Sequence, residues 1–270
     1  MPSLSRVWAL VGKDIREALP NKGIVLPTVL MPFLVAVGMP LLVIAGGFAG
    51  QGLMKLDPAD AERLLSFYSV PSTLSTTADR LLYVFLNHTF VPMFLVLPVI
   101  SATIFAAHSV VGEKEHRTLE TLLQSPLRAG EFVAAKMIGV IIPAFLVGLA
   151  SFLLFAGTSF AAGALFGRPV ILSAAMWLPV VLLLSPAVSL AALAVGFLVS
   201  LRAKTFIAAQ QISSVVVLPC VVAMIAATTG RFVVSASTVF WSGLVILGAA
   251  IAFLSWLVPR LDRERLIQTL

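Results

Sequence analysis

Charge is the first thing this chain is short of. Asp, Glu, Lys and Arg make up 11% of its 270 residues, against about 25% in soluble domains. Hydrophobic residues reach 60%, above the usual share of about 45–50%, which excludes an ordinary soluble domain. One cysteine, Cys220, permits no intramolecular disulfide, and its apolar surroundings mark it as a small core residue. No G-x-x-x-x-G-K-[S/T] loop occurs, so the chain does not bind and hydrolyse ATP by that route. Paired cysteines, H-E-x-x-H and G-x-S-x-G are missing too, which removes the common metal and nucleophile signatures.

The charges that remain are confined to termini and loops. Between them lie six uncharged runs, at about 24–48, 88–111, 137–155, 171–199, 206–227 and 240–258, each long enough to contain a span of about 20 residues. The expected fold is an all-α polytopic membrane protein with six transmembrane helices over 23–259. An interfacial amphipathic helix is expected in 1–22, an external segment at 50–86, a cytoplasmic loop at 112–136 and a cytoplasmic tail at 260–270. Spans without Asp, Glu, Lys or Arg argue against a proton relay or ion-coupled carrier, which place such groups in the membrane.

Placement of the basic residues matters more than the net +6. Lys and Arg number 13 across the N-terminal segment, the 112–136 loop, Arg202 with Lys204, and the C-terminal tail, and 5 in the other three loops. That bias puts both termini in the cytoplasm of a cell whose plasma (inner) membrane the chain crosses. The partner implied by the excess charge is the bilayer surface; no nucleic acid is expected.

Before the first run, Leu4, Val7, Trp8, Val11, Ile15, Ala18 and Leu19 recur at helical spacing, with charges on the other side, as in a helix lying in the membrane interface. Prolines fall inside five of the six runs: Pro27, Pro32 and Pro40; Pro92 and Pro98; Pro143; Pro179 and Pro186; and Pro219. Each removes a backbone donor and crowds the preceding turn, so kinks are expected there. In the external segment, Asp57 before Pro58 and the Ser75, Thr76, Thr77 cluster predict the starts of two short helices.

Polar residues inside the runs are few. His88 and His108 stand 20 residues apart, roughly 30 Å along a helix, and cannot share a metal. Ser185, Ser189, Ala192, Gly196 and Ser200 form a small, weakly polar stripe on one helix face, suited to close helix packing or to a translocation path. Gln210, Gln211, Ser213 and Ser214 require protein or water beside them, either as interhelical hydrogen bonds or as contacts for a passing substrate. Of these, Gln210, Gln211, Ser214, Ser185 and Ser189 are the candidate path residues.

The most charged internal segment runs from Glu113 to Lys136. Its charges cannot lie in hydrocarbon and are expected to face water. Leu119, Leu122 and Leu123 make an apolar ridge, Glu113 and Arg117 form an i,i+4 pair of favourable polarity, and Ser125 with Pro126 ends the helix. This is a short amphipathic helix, which by itself reads as a solvated connector or a helix resting on the bilayer.

Glu113, Glu115, Thr118, Leu119, Leu122, Leu123, Ser125, Pro126 and Lys136, placed after the second of six spans, resemble the coupling-helix segment of type-2 ABC transporter permeases, the membrane subunits of many ATP-driven exporters. Arg117 stands where members of that family often carry Gly. The resemblance implies that Glu113, Glu115, Arg117, Thr118, Leu119, Leu122, Leu123 and Pro126 contact a separate ATP-binding subunit. It further implies two ATPase copies holding Mg-ATP, a second permease chain identical or related, and no cofactor or catalytic residue in this chain. The small external segment, with nothing like a large receiving domain, favours a hydrophobic or amphipathic compound such as a drug, lipid or metabolite as the cargo of such an exporter. The competing readings are a stand-alone ion- or proton-coupled carrier or channel, and an intramembrane enzyme acting on lipid.

Overall fold

The computed structural model describes residues 4–18, 20–48, 57–112, 129–203, 205–228 and 233–257. All regular structure among them is helical. Twelve α-helical segments follow in chain order: α1 Leu4–Ala18, α2 Lys22–Phe33, α3 Met39–Phe48, α4 Pro58–Leu65, α5 Thr77–Val84, α6 Phe90–Ala107, α7 Ala129–Leu165, α8 Ala174–Pro179, α9 Ser185–Arg202, α10 Phe206–Ser213, α11 Leu218–Thr228 and α12 Ala236–Leu257. They combine into six stretches long and apolar enough to cross a membrane: Lys22–Gly46, Thr77–Ala107, Ala134–Leu165, Ala174–Ser200, Phe206–Ala227 and Ala236–Leu257. The six-span all-α architecture read from the sequence is the architecture observed.

Proline explains where most of the spans change their winding. Pro40, Pro92, Pro186 and Pro219 each crowd the carbonyl four residues earlier, at Ala36, His88, Leu182 and Val215. Every one of those residues falls in a turn that departs from α geometry. Leu34–Gly38, Phe85–Thr89 and Val180–Leu184 wind as π-helix, and Ser214–Val217 as 3-10 helix. A wider or tighter turn lets the chain pass the ring without breaking the span. Pro27, Pro32, Pro98 and Pro143, in contrast, sit within α-helical winding. α12 has no proline and is a single 22-residue helix.

The second span is the centre of the bundle and the fifth its periphery. α6 packs against α7 and α9, and α9 packs in turn against α12. Trp177 anchors the core between Phe94, Phe152 and Phe155, with ring centroids 4.9–5.4 Å away. Large apolar side chains point outward instead on every span but the second, among them Leu26, Leu146, Leu153, Leu182, Val222 and Val245. Outward apolar faces suit a hydrocarbon solvent, where no hydrophobic force favours hiding them. Exposed tryptophans mark both rims: Trp241 near the start of α12, Trp256 near its end, and Trp8 on α1.

Expectations about the third span and Lys136 need correction. The third helix starts at Ala129 and its apolar stretch at Ala134, so Lys136 lies within a candidate span, whereas the sequence reading began that span at 137 and called all spans free of charge. Lys136 is also not turned to water: it is 1% exposed, against Asp14 of α1. The charged side of the N-terminal helix is therefore not wholly solvated. α1 turns Asp14 inward with Val7, Leu10 and Val11, and leaves Trp8 exposed.

Residues 57–84 behave largely as their capping residues dictate. Asp57 caps α4, accepting from the Ala59 N–H at 3.3 Å, and Pro58 takes the first helical position. Thr76 caps α5, accepting from the Asp79 N–H at 3.1 Å. α5 runs through the π turn at Phe85–Thr89 straight into α6, so the second span begins at Thr77 rather than at 88.

Candidate functional site

On the side of the bundle that carries α1, the residues flanking the charged loop converge. Val7, Leu10 and Val11 of α1 pack with Ala135 of α7, Phe197 of α9 and Leu257 of α12. Beneath them Lys136 Nζ donates to both carboxylate oxygens of Asp14 at 2.9 Å, and Ser109 Oγ lies 3.4 Å from Asp14 Oδ2. The loop itself, with Glu113, Glu115, Arg117, Thr118, Leu119, Leu122, Leu123 and Pro126, lies outside the described residues. Its two roots are described: the π turn His108–Gly112 and the start of α7 at Ala129.

The serine stripe of the fourth span is an intramolecular seam. Ser185, Ser189, Ala192 and Ser200 are all 1% exposed or less. Ser189 Oγ donates to the Ser185 carbonyl at 2.8 Å, and Ser200 Oγ to the Gly196 carbonyl at 2.6 Å. A side chain at Gly196 would begin 2.9 Å from Ala106 Cβ, so the stripe lets α9 lie close against α6. Ser185 Oγ similarly covers Gly148 of α7. The amides of the fifth span stand elsewhere: Gln210 is half-buried, while Gln211 and Ser214 are exposed beside Ile212, Val215 and Leu218.

Across the bundle, on the side of α4 and α5, a second polar assembly holds the turn after α7. Asn87 is fully buried; its amide donates to the Tyr83 and Ile171 carbonyls at 3.0 and 2.8 Å, and its oxygen accepts from the Ser173 N–H at 2.6 Å. Arg168 donates to Asp79 at 3.2 Å. Gly167 takes φ +63°, a conformation in which glycine avoids the strain of a Cβ. His88 Nδ1 lies 2.5 Å from the Val234 carbonyl, with the Tyr68 ring 4.5 Å from the imidazole. Burial raises the Tyr68 hydroxyl above the ordinary tyrosine range, and the Val234 backbone partly offsets this. His88 thus ties α6 to the approach to α12, while His108 contacts Phe206 at the other end of the second span.

Sequence reasoning singled out neither Asn87 nor the Asp14–Lys136 pair. An asparagine one residue before a histidine inside an apolar run was the available signal for the first. The only signal for the second was a lone aspartate on the apolar side of an amphipathic helix.

Among the described residues, two of the cavities lie between the spans. One, of about 410 Å³, is bounded by the second, fourth, fifth and sixth spans and is almost wholly apolar, with Cys220, Thr238 and Ser242 its only heteroatom-bearing side chains. The other, of about 270 Å³, lies between α1 and the first three spans and includes Asp14, His108 and Ser109 in its wall. Among the described residues no group of His, Cys, Asp or Glu comes together as a metal site would require.

Comparison with known proteins agrees with this architecture. A 136-residue stretch, half of this chain, is 30% identical to the probable ABC transporter permease protein NosY of Stutzerimonas stutzeri, and covers 39% of that protein's length. The model of a family described as ABC-2 family transporter protein matches residues 8–259, from α1 through all six spans. The chain belongs to the ABC-2 family of transporter proteins.

Proposed function

We propose that this chain is the permease subunit of an ATP-driven ABC exporter, with both termini and the 113–128 loop in the cytoplasm of a cell bounded by its plasma (inner) membrane. The observation that carries the reading is the family match over residues 8–259, which takes in α1 and every span. The partially matching relative is itself named as a probable ABC transporter permease. Energy comes from a separate ATP-binding subunit, since the chain contains no phosphate loop. Two copies of that subunit, holding Mg-ATP, act on two permease chains. Leu119, Leu122 and Leu123 insert into the ATPase, and Glu113, Glu115 and Arg117 pair at the rim of its groove, with Thr118 and Pro126 bounding the contact.

The fifth span faces the second permease chain or the substrate path. Gln211 and Ser214 are exposed there among apolar side chains, and an amide turned to lipid would lack partners. The cargo is a hydrophobic or amphipathic compound, in keeping with an external segment too small to form a receiving domain.

Co-expression with ATP-binding subunits tests the assignment. The expected result is copurification of one such subunit and ATP-dependent export from reconstituted vesicles, both lost in Leu119→Ala/Leu122→Ala protein that still folds. Transport by the purified chain alone, without ATP, would replace this reading with the stand-alone carrier.

A further inference from the structure

The 410 Å³ cavity cuts into the bundle from its side. Its floor is made by Val91, Leu95 and Val99 of the second span and by Leu184 and Val188 of the fourth, all buried. Its rim is exposed, with Pro219 of the fifth span on one side and Thr238 and Ser242 of the sixth on the other. Those two spans are separated by a seam. The fifth packs against the second and fourth, and the sixth against the fourth, while among the described residues the fifth and sixth make little contact with each other. The space therefore opens toward the hydrocarbon around the bundle. Its lining runs from Val91 to Val99 and from Thr238 to Ile246, about 12 Å along each helix and parallel to the chains of a bilayer.

We propose that this cavity holds one acyl chain of a bilayer phospholipid, which enters through the seam between the fifth and sixth spans. The wall carries no charged side chain. Its two hydroxyls already donate to backbone, Thr238 Oγ1 to the Ser235 carbonyl at 2.8 Å and Ser242 Oγ to the Val239 carbonyl at 3.0 Å. The remaining heteroatom is the Cys220 thiol, a weak donor. A site that selects a small molecule needs a few placed polar groups to fix its orientation. This wall has none to spare, and a hydrocarbon tail requires none. Size sets the number of chains: a dry cavity of about 150 Å³ accepts the six carbons of benzene, so 410 Å³ scales to about sixteen carbons, one tail and not a pair. The tail supplies the dispersion contacts that the lining of an empty space forgoes, and so supports the fifth span, the least buried of the six. The site requires no ATPase, so its failure would leave the export reading standing.

The test is photolabelling of the purified chain in phosphatidylcholine nanodiscs that contain a trace of phosphatidylcholine with a diazirine on one acyl chain, followed by mapping of labelled residues and by native mass spectrometry. Label is expected to concentrate on Val216, Cys220, Ala223, Ser242 and Ile246, above the level on Leu26 and Leu30 of the outward face of the first span. One phospholipid should stay bound when the chain is moved into detergent. Ala223→Trp fills the space from its half-buried wall, and Ser242→Trp blocks the mouth from an exposed position that spares the core. Each should lower label at the cavity to the level of the outward faces and abolish the retained lipid. Val245→Trp, 69% exposed on the same helix as Ser242 but outside the cavity, should change neither. Label spread evenly over the outward faces, cavity label indifferent to both filling variants, or a retained species that is a small hydrophobic compound instead of a phospholipid would each overturn the proposal.

Discussion

Lys136 and Asp14, 122 positions apart, form an ion pair with side chains 1% and 9% exposed, in which one ammonium meets both carboxylate oxygens at 2.9 Å. The pair fixes α1 to the root of the third span, a few residues beyond the charged loop. Its energetic signature is distinctive. Removing one partner strands a buried charge and costs about 3–5 kcal/mol, while replacing both with apolar residues of similar volume is neutral or stabilising. Lys136→Met should therefore lower the midpoint of thermal unfolding in detergent sharply, and Asp14→Leu/Lys136→Met should recover most of the loss. A double variant as unstable as the single one would show that the pair's geometry, rather than its charge balance, holds α1 in place.

Asn87 supports a second prediction, on the opposite side. It matches two carbonyls and one N–H, and among the described residues the Ile171 carbonyl and Ser173 N–H have no other hydrogen bond. Asn87→Leu keeps the volume but leaves those partly exposed groups without the amide, at up to about 1 kcal/mol each, the net value of a typical hydrogen bond. Reduced thermal stability together with faster amide hydrogen exchange across residues 166–173 is the expected outcome. Unchanged exchange would mean that the Asp79–Arg168 bridge holds the turn unaided.

What the sequence disclosed and what it hid follow from the range of the interactions. The caps at Asp57 and Thr76 act over two or three residues, and the prolines over four, so both could be read directly from the chain. The Ser185 to Ser200 stripe was legible as a small face, but nothing in its spacing names α6 as the surface it meets. Lys136 was misread because its partner lies on another helix, and a lysine bordering a charged loop looks solvated until that helix is placed. Asn87 was overlooked for the same reason: two of its three hydrogen bonds reach residues more than 80 positions away. Apolar composition identified the spans but not their inward faces, since in a membrane both faces are apolar.

Two glycines of α7 give opposite predictions from the same helix. At Gly163 a Cβ would lie 2.5 Å from Val170 Cγ2 and 3.0 Å from the Arg168 carbonyl, whereas at Gly157 it would meet nothing within 4 Å. Gly163→Ala should cost about 1–3 kcal/mol through overpacking of the turn. Gly157→Ala should be neutral or stabilise by up to about 1 kcal/mol through reduced backbone freedom. Unfolding midpoints of the two variants, measured side by side, check the contrast; equal midpoints would show that the turn at 166–170 relaxes freely.

On the proposed assembly, the fifth span gives a final prediction. Val222 is 63% exposed and Ile225 55% exposed, on the least buried of the six spans, along with exposed Gln211 and Ser214. If that face meets a second permease chain, Cys at Val222 in a Cys220→Ser background should form an intermolecular disulfide under mild oxidation of membranes. Cys at Val245 of α12, 69% exposed, should not. The comparison separates a specific interface from random collision, because both sites are similarly accessible and differ chiefly in the polar groups nearby. Dimers formed equally from both positions would remove the fifth span from the interface and leave Gln211 without a partner surface. Dimers formed at Val222 alone would place its amide beside the second chain, where an interhelical hydrogen bond replaces the water that lipid cannot supply.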